Sequence, residues 1–533
     1  MPKTPRRSTL ALAIAGTLAT AAFAPASSTA QTKPAAPSRS AALGPTVAHT
    51  GTGPTGYEVT FRIKDAAATS MRIKGAWSFA STTTSSTDPT NASPIPASQW
   101  KPGDFALQSP DMPSENWPVA DMTKDARTGT WSYTVPLPSG TFDYQFYADC
   151  TATAPALTGC TATTDPALPA WSTTGSPAAF SQVYVPSDAK FGTTDYSWQT
   201  DAPGGERGRI TDVTYPTANT ATGTHPLAVY TPPGYDAHRS TPYPVFVLSH
   251  GGGENEAAWP TRGRLAQIVD NLIAEHRMQP AVVVMPDGSG LTKGSVYTQE
   301  VTDNVLPYVA TNYDVSTSAN DRAFAGTSAY GTQANNFLFG DTTEFGYVGA
   351  WSPASGAPAV TVTGTGNTPI DPAYTNPRLK QVLGIHLAIG QEDLGGNAPT
   401  MTATTEREGM INAGVPFTYY SVGGGHTWTF WQSALHDFLT RVGFRTTATS
   451  AVATAKSVTA TVTASTVEPA TPTGTVQFKA DGQNLGKPVA LKGGKATLAT
   501  GTAAGATVTA VYSGNTFYNA STSLAATAGN PTK

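Results

Sequence analysis

The chain runs to 533 residues, with 32 Lys and Arg against 36 Asp and Glu and a formal net charge of −4. That length exceeds what one hydrophobic core ordinarily spans, so several domains are expected. So few charges, slightly acidic in balance, exclude an electrostatic nucleic-acid-binding surface.

In chain order, the first element reads as an export signal over residues 1–30. Lys3, Arg6 and Arg7 precede an apolar run from Leu10 to Phe23, and Ser28-Thr29-Ala30 offers a small-residue cleavage site before Gln31. Arg6-Arg7 leaves the Sec and twin-arginine routes both open. The run is too short and alanine-rich for a membrane anchor, and no later stretch could span a bilayer. A secreted, extracellular protein is expected. Residues 31–49, rich in Pro, Ala and Ser, read as a flexible lead-in.

Residues 50–195 read as a β-sandwich. Tyr57 to Ile63 and Gly129 to Val135 alternate, Ser70 to Gly75 follows the same habit, and Pro138-Ser139-Gly140 turns into the run Thr141 to Tyr147. Trp77, Trp100, Trp117 and Trp131 are candidates both for the core and for stacking on sugar rings. Cys150 and Cys160 are the only cysteines, and in an exported chain they are expected to form one structural disulfide.

Residues 205–445 change character: apolar strands alternate with helical stretches such as Leu265 to Ile273, which implies a doubly wound, mostly parallel sheet. Pro244 to Ser249 is a buried strand ending in His250-Gly251-Gly252-Gly253-Glu254. Arg322 to Gly326 is a second strand, running through Thr327, Ser328, Ala329 and Tyr330 to Gly331 and then into a helical segment. Val382 to Ile389 is a third, ending in Gly390-Gln391-Glu392-Asp393. Phe417 to Val422 is a fourth, followed by Gly423-Gly424-Gly425-His426-Thr427-Trp428 and a terminal helix over Trp431 to Phe438.

A strand, a Gly-x-Ser turn and a helix make the layout of a nucleophile elbow, which lifts a serine hydroxyl over the sheet. The chain order Ser328, Asp393, His426 is the Ser–acid–His order of the α/β-hydrolase fold, with each residue just past a strand. Serine needs a base to take its proton, and the base needs a carboxylate to fix its tautomer. Glu392 and Asp287 are rival acids, although Asp287 precedes the serine. Backbone N–H groups of Gly252 and Ala329 are the expected oxyanion donors. Tyr330 stands where the elbow usually has a second glycine. It either strains the turn, degrading the elbow, or lines the acyl pocket; Trp428 is a second candidate substrate contact. His250 reads as a loop-shaping residue, and the other histidines as structural or exposed. Nothing has the ligand spacing of a metal site, and no cofactor is expected.

Seven blocks in register then resemble the esterase D superfamily, especially its secreted feruloyl-esterase-like and enterochelin-esterase-like members. They are Val229 to Tyr235, Tyr243 to Gly251 with Trp259, Val284 to Gly288, Leu306 to Val309 with Asn312-Tyr313, Ala325 to Ser328, Ile389 to Asp393, and Gly424 to Trp428. The resemblance implies serine-esterase chemistry on carboxylic esters, with Ser328, Asp393 and His426 at the triad positions. Residues 50–195 resemble early-set immunoglobulin-like modules, related to glycogen-binding ones. After Phe444 the composition shifts to Thr, Ala, Gly and Val. Gly474 to Phe478, Ala510 to Gly514 and Phe517 to Ser521 resemble a bacterial immunoglobulin-like repeat over 448–530.

The expected architecture is thus a multidomain chain, an α/β-hydrolase flanked by two all-β immunoglobulin-like sandwiches. The expected function is a secreted serine esterase acting on a small-molecule or polysaccharide ester, such as a feruloyl or acetyl ester, with glycan or cell-surface contact through the β-domains. Two rivals stand beside it: an extracellular acyltransferase of the same superfamily, and a non-catalytic glycan-binding surface protein with a degenerate esterase domain.

Overall fold

A computed structural model describes residues 43–527, apart from 82–93, 108–115, 169–179, 292–295, 359–370, 394–398 and 465–471 and residues 240, 341, 342, 446, 504, 516, 517 and 519. The export signal expected over 1–30, most of the lead-in, and Phe517 lie outside the described residues.

The N-terminal part holds two main antiparallel sheets. One orders the strands Thr46–His49, Tyr57–Lys64, Thr130–Pro136 and Thr123–Asp125. The other orders Thr161–Thr163, Gly140–Ala148, Met71–Gly75 and Val119–Asp121, and Ser181–Val185 also pairs with Gly140–Ala148. Strand residues point alternately to opposite faces, so Val59, Phe61 and Ile63 all enter one core, where they meet Ile73, Tyr144 and Phe146. The four tryptophans belong to the interior. Trp77, Trp100, Trp117 and Trp131 are each at most 6% exposed. Trp77 stacks on Phe61 and Trp117 packs on Phe180. Trp100 also lines a cavity at the seam with the α/β domain. Cys150 and Cys160 are joined in a disulfide, as the cysteine count predicts.

The central sheet has eight strands: β1 (Arg209–Pro216), β2 (Thr224–Thr231), β3 (Val245–Ser249), β4 (Val282–Pro286), β5 (Arg322–Thr327), β6 (Tyr347–Trp351), β7 (Gly384–Ala388) and β8 (Thr418–Tyr420). Their order is β1-β2-β4-β3-β5-β6-β7-β8, with β1 and β2 antiparallel and all pairings from β4 to β8 parallel. This is the α/β-hydrolase arrangement. Helices α1 (Leu265–Ala274), α2 (Ala329–Gly340), α3 (Pro399–Ala413) and α4 (Trp428–Arg441) pack on it.

The alternation of β3 shows why its sequence is apolar throughout. Phe246 and Leu248 face the cluster built with Ile268 and Leu272 of α1 and Leu435 and Phe438 of α4. Val245 and Val247 face the opposite cluster, with Phe337 and Leu338 of α2 and Met410 of α3. A parallel strand covered on both faces has no polar side to show.

The C-terminal part again has two antiparallel sheets. Thr447–Ala453, Val458–Ala464 and Lys495–Leu498 form one; Gln483–Ala490, Thr475–Ala480 and Thr507–Tyr512 lead the other. Val458, Ala460, Val476, Phe478, Val508 and Tyr512 are fully buried between them.

The N-terminal part docks on the hydrolase through polar side chains. Thr141 donates to the fully buried Gln199, whose amide donates to Gln432 of α4, and the Arg264 guanidinium donates to the Gln199 carbonyl.

One buried carboxyl inside the hydrolase has a consequence for stability. Glu406 of α3 is fully buried, and both its oxygens and the neighbouring Asn335 Oδ1 lack a donor. Burial accordingly pushes its pKa from 4.5 to about 8. The folded-state value lies above the unfolded one, so the stabilisation is complete below about pH 4.5 and is lost as pH rises through about 8. Glu406→Gln, measured by thermal melting, is expected to match the parent near pH 5 and to melt at a higher temperature near pH 9. A difference that does not change with pH would contradict this assignment.

Candidate active site

The site lies at the C-terminal ends of β3, β5, β7 and β8. Ser328 sits between β5 and α2 in the left-handed region, with φ +52°. Such a backbone costs a non-glycine residue about 1–2 kcal/mol, which the surroundings must offset. Three backbone hydrogen bonds hold it. Ser328 N–H donates to Trp351 O at 3.0 Å, and Ser328 O accepts from Thr332 and Ala354.

The close approach that makes the turn sharp falls on two glycines. A Cβ on Gly326 would lie 2.2 Å from Tyr330 O, and one on Gly331 would lie 2.8 Å from Trp351 O and 2.9 Å from Pro353 Cα. The need for a small residue therefore sits at Gly331, and Tyr330 is free to be large. Its ring turns away from the strand, 4.6 Å from the His250 ring and 4.7 Å from the Tyr297 ring. Gly288 leaves the space for it, since a Cβ there would overlap the Tyr330 hydroxyl. Of the two sequence expectations for Tyr330, a degraded elbow does not fit this packing.

Asp393 follows β7 and is fully buried; His426 follows β8 and is 5% exposed. His426 Nδ1 lies 3.0 Å and 3.1 Å from the two Asp393 oxygens, so Nδ1–H donates and Nε2 keeps its lone pair. The rival acids have other partners. Glu392 Oε2 accepts the Gly424 N–H and so fixes the loop that carries His426. Asp287 accepts from Ser289 and lies near His225 and His250. A short run of contacts joins histidine and serine. The His426 ring lies 5.0 Å from that of Trp431, Trp431 Nε1 donates to Ser352, and the preceding Trp351 holds Ser328.

On the other side of the elbow, a Cβ on Gly252 would lie 3.5 Å from Ala329 Cβ, and one on Gly251 would lie 3.8 Å from Ser328 Cβ. The glycine loop and the start of α2 are thus adjacent. Ala329 opens α2, so its N–H has no intrahelical acceptor.

Residues 219–442 match the family model described as Putative esterase, and residues 445–528 that of the bacterial Ig-like domain, group 3. The chain carries an esterase-family domain. It is 36% identical over 138 residues to an endo-1,4-beta-xylanase/feruloyl esterase of Xylanibacter ruminicola, covering 23% of this chain and 19% of that protein. It is 35% identical over 139 residues to endo-1,4-beta-xylanase Y of Acetivibrio thermocellus, covering 24% of this chain and 12% of the relative. The chain therefore spans less than a fifth of either curated relative, at 19% and 12%. Among solved structures, a ferulic acid esterase of Anaeromyces mucronatus aligns at 19% identity and TM-score 0.40, covering 47% of this chain and 96% of that one. The enterobactin esterase of Shigella flexneri aligns at 17% identity and TM-score 0.45, covering 75% and 96%.

Within the esterase domain, three features escape the sequence reading. Glu254 closes the glycine run. Its Oε2 accepts the Gly251 N–H at 3.0 Å, while Oε1 accepts from Trp428 Nε1 at 2.8 Å and Arg262 at 3.2 Å. It ties the glycine loop to the start of α4. An acid directly after a glycine run is the signal that was available. Trp428, expected to touch substrate, is 4% exposed and packs on Trp259 and Trp431. Its indole N–H donates to Glu254 and so joins the glycine loop to α4. His386, read as structural or exposed, is fully buried between Trp351 Nε1 and Asp437. His250 does shape the loop: Nδ1 donates to Gly251 O, Nε2 accepts from Gly288 N–H, and burial holds its pKa below the ordinary histidine value.

Gly331→Ala is expected to destabilise the domain by about 1–3 kcal/mol, because the added methyl meets backbone that cannot move aside. Gly340→Ala, in the same helix with nothing within 4 Å, is the control and is expected to be neutral. Equal denaturation midpoints for the two variants would refute the packing account of the elbow.

Proposed function

We propose that the chain is an extracellular serine carboxylic ester hydrolase, with Ser328 as nucleophile, His426 as general base and acid, and Asp393 as the acid that orients it. The observation that carries this reading is the buried Asp393–His426 pair, linked through Trp431, Ser352 and Trp351 to a serine held in a left-handed strand-to-helix turn. With Nδ1–H on Asp393, His426 Nε2 takes the Ser328 hydroxyl proton as Oγ attacks the ester carbonyl. Gly252 and Ala329 N–H groups receive the developing oxyanion. His426 returns the proton to the leaving alkoxide, and a water repeats the sequence to free the acid and Ser328. Oxyanion donors of this kind contribute about 3–4 kcal/mol each in serine hydrolases.

Feruloyl or acetyl esters on polysaccharide are the proposed substrate class, supported by the likeness to a protein whose name includes feruloyl esterase. Export is supported by the N-terminal charge and apolar pattern and by the Cys150–Cys160 disulfide. Among the described residues no helix is long and apolar enough to cross a membrane. The Tyr330 packing favours a working elbow over a degenerate binding domain. An early-set immunoglobulin-like identity for the N-terminal sandwich is supported by its two-sheet antiparallel core.

Fluorophosphonate labelling of the secreted chain tests the nucleophile without needing the natural ester. Labelling is expected in the parent and absent in Ser328→Ala. Asp393→Asn is expected to lower kcat on a feruloyl ester about 10⁴-fold, because the amide favours the wrong histidine tautomer. Persistent labelling of Ser328→Ala would sink the assignment.

A further inference from the structure

A cavity of about 460 Å³ lies at the seam between the N-terminal sandwich and the esterase domain, and Ser328 is not among the residues that line it. The sandwich contributes Trp100 and Phe105, the connecting segment Tyr196 and Trp198, and the esterase domain Tyr420 and Phe430. Flat rings from three separate parts of the chain surround one space. Gly424 and Thr427, which flank His426 in sequence, form part of the wall. The volume is that of a small-ligand site, and the mixture of aromatic faces with a few polar groups is what such sites use.

The polar groups narrow the ligand. Asp104, Asp195 and Asp437 line the cavity, and among the described residues no Lys or Arg does, so these residues offer an anion no counter-charge. Nor do these carboxylates call for a cation. Asp104 accepts the Lys101 N–H, Asp195 the Ser197 N–H, and Asp437 is paired with His386 and Arg441. Hydroxyl-bearing Ser139, Thr141, Thr429 and Ser433 complete the wall. Ser139 Oγ and His436 Nε2, on two of the lining residues, are sealed from solvent and are not contacts that the cavity itself offers. His436 stacks on Trp198 at 4.6 Å, and burial with Arg277 nearby pushes its pKa down to about 4, so the ring is neutral at ordinary pH. A ligand with flat apolar faces and a rim of neutral hydroxyls, each able to donate and accept, matches this surface.

We propose that the seam cavity is a second, non-catalytic binding site for a short neutral saccharide. It deepens the reading of the chain as an esterase acting on polysaccharide, but binding there needs no catalysis, so the two readings fail separately. The sandwich then contributes one wall of a site completed by the esterase domain, rather than a sugar platform of its own.

The test is calorimetric titration of the full chain carrying Ser328→Ala with xylotriose and with maltotriose, two neutral trisaccharides. At least one is expected to bind saturably at one site. Two further variants address the cavity. Ser433→Phe fills it from α4, and Tyr196→Ala removes the ring that the connecting segment contributes to the wall. Each is expected to weaken binding at least tenfold. Hydrolysis of 4-nitrophenyl acetate by the same two variants in the parent background is expected to persist, which separates a lost site from a lost fold. Binding of neither trisaccharide overturns the proposal, as does binding that both variants leave intact. Saturable binding of ferulate or spermidine that the cavity variants abolish, in place of saccharide binding, overturns it too and assigns the cavity to an anion or a cation.

Discussion

The left-handed turn at Ser328 is the constraint on which the site depends. A serine backbone at φ +52° is unfavourable alone and persists because Trp351, Thr332 and Ala354 hold it from three sides. Trp351 ends β6, so the bond that holds the turn requires β5 and β6 to be paired in this register. Gly326 and Gly331 let the helix come down on the strands closely enough for those bonds to close. The Ser328 backbone is thus placed by packing among β5, β6 and α2.

Two buried carboxylates and one partly buried one do the rest of the positioning. Glu254 binds the Gly251 N–H, Trp428 and Arg262; Glu392 binds the Gly424 N–H; Asp393 binds His426. A buried charge is tolerable only when donors surround it, and each of these acids meets that cost by gripping a loop. Glycine-rich loops have little stiffness of their own. The acids supply it, holding the loops on either side of the serine.

The His386–Asp437 pair is a useful contrast with His426–Asp393. Both are buried histidine–carboxylate pairs, at 3.0 Å in each case. His386 has its second nitrogen occupied by Trp351 Nε1, so no lone pair remains to take a proton. His426 instead has Nδ1 on Asp393, the opposite ring nitrogen from the one His386 turns to its acid. Chemistry at a histidine is decided by what its second nitrogen meets, not by the carboxylate on the first.

The sequence by itself determined the local elements and their order. The apolar runs 245–249 and 282–286, the Gly-x-Ser turn, the helix after it and the Ser–acid–His order are all local patterns, set by side-chain period and turn chemistry. The alternating strands 57–64 and 130–136 were legible for the same reason. Tertiary structure alone decided which neighbours those elements meet. It chose Asp393 over the adjacent Glu392 to face His426, because β7 and β8 lie side by side and a one-residue step along the loop reverses direction. It moved the small-residue requirement from Tyr330 to Gly331, drew Trp428 into the core, and paired His386 with an acid 51 positions away. These outcomes depend on contacts between distant segments, and no window of sequence contains both partners.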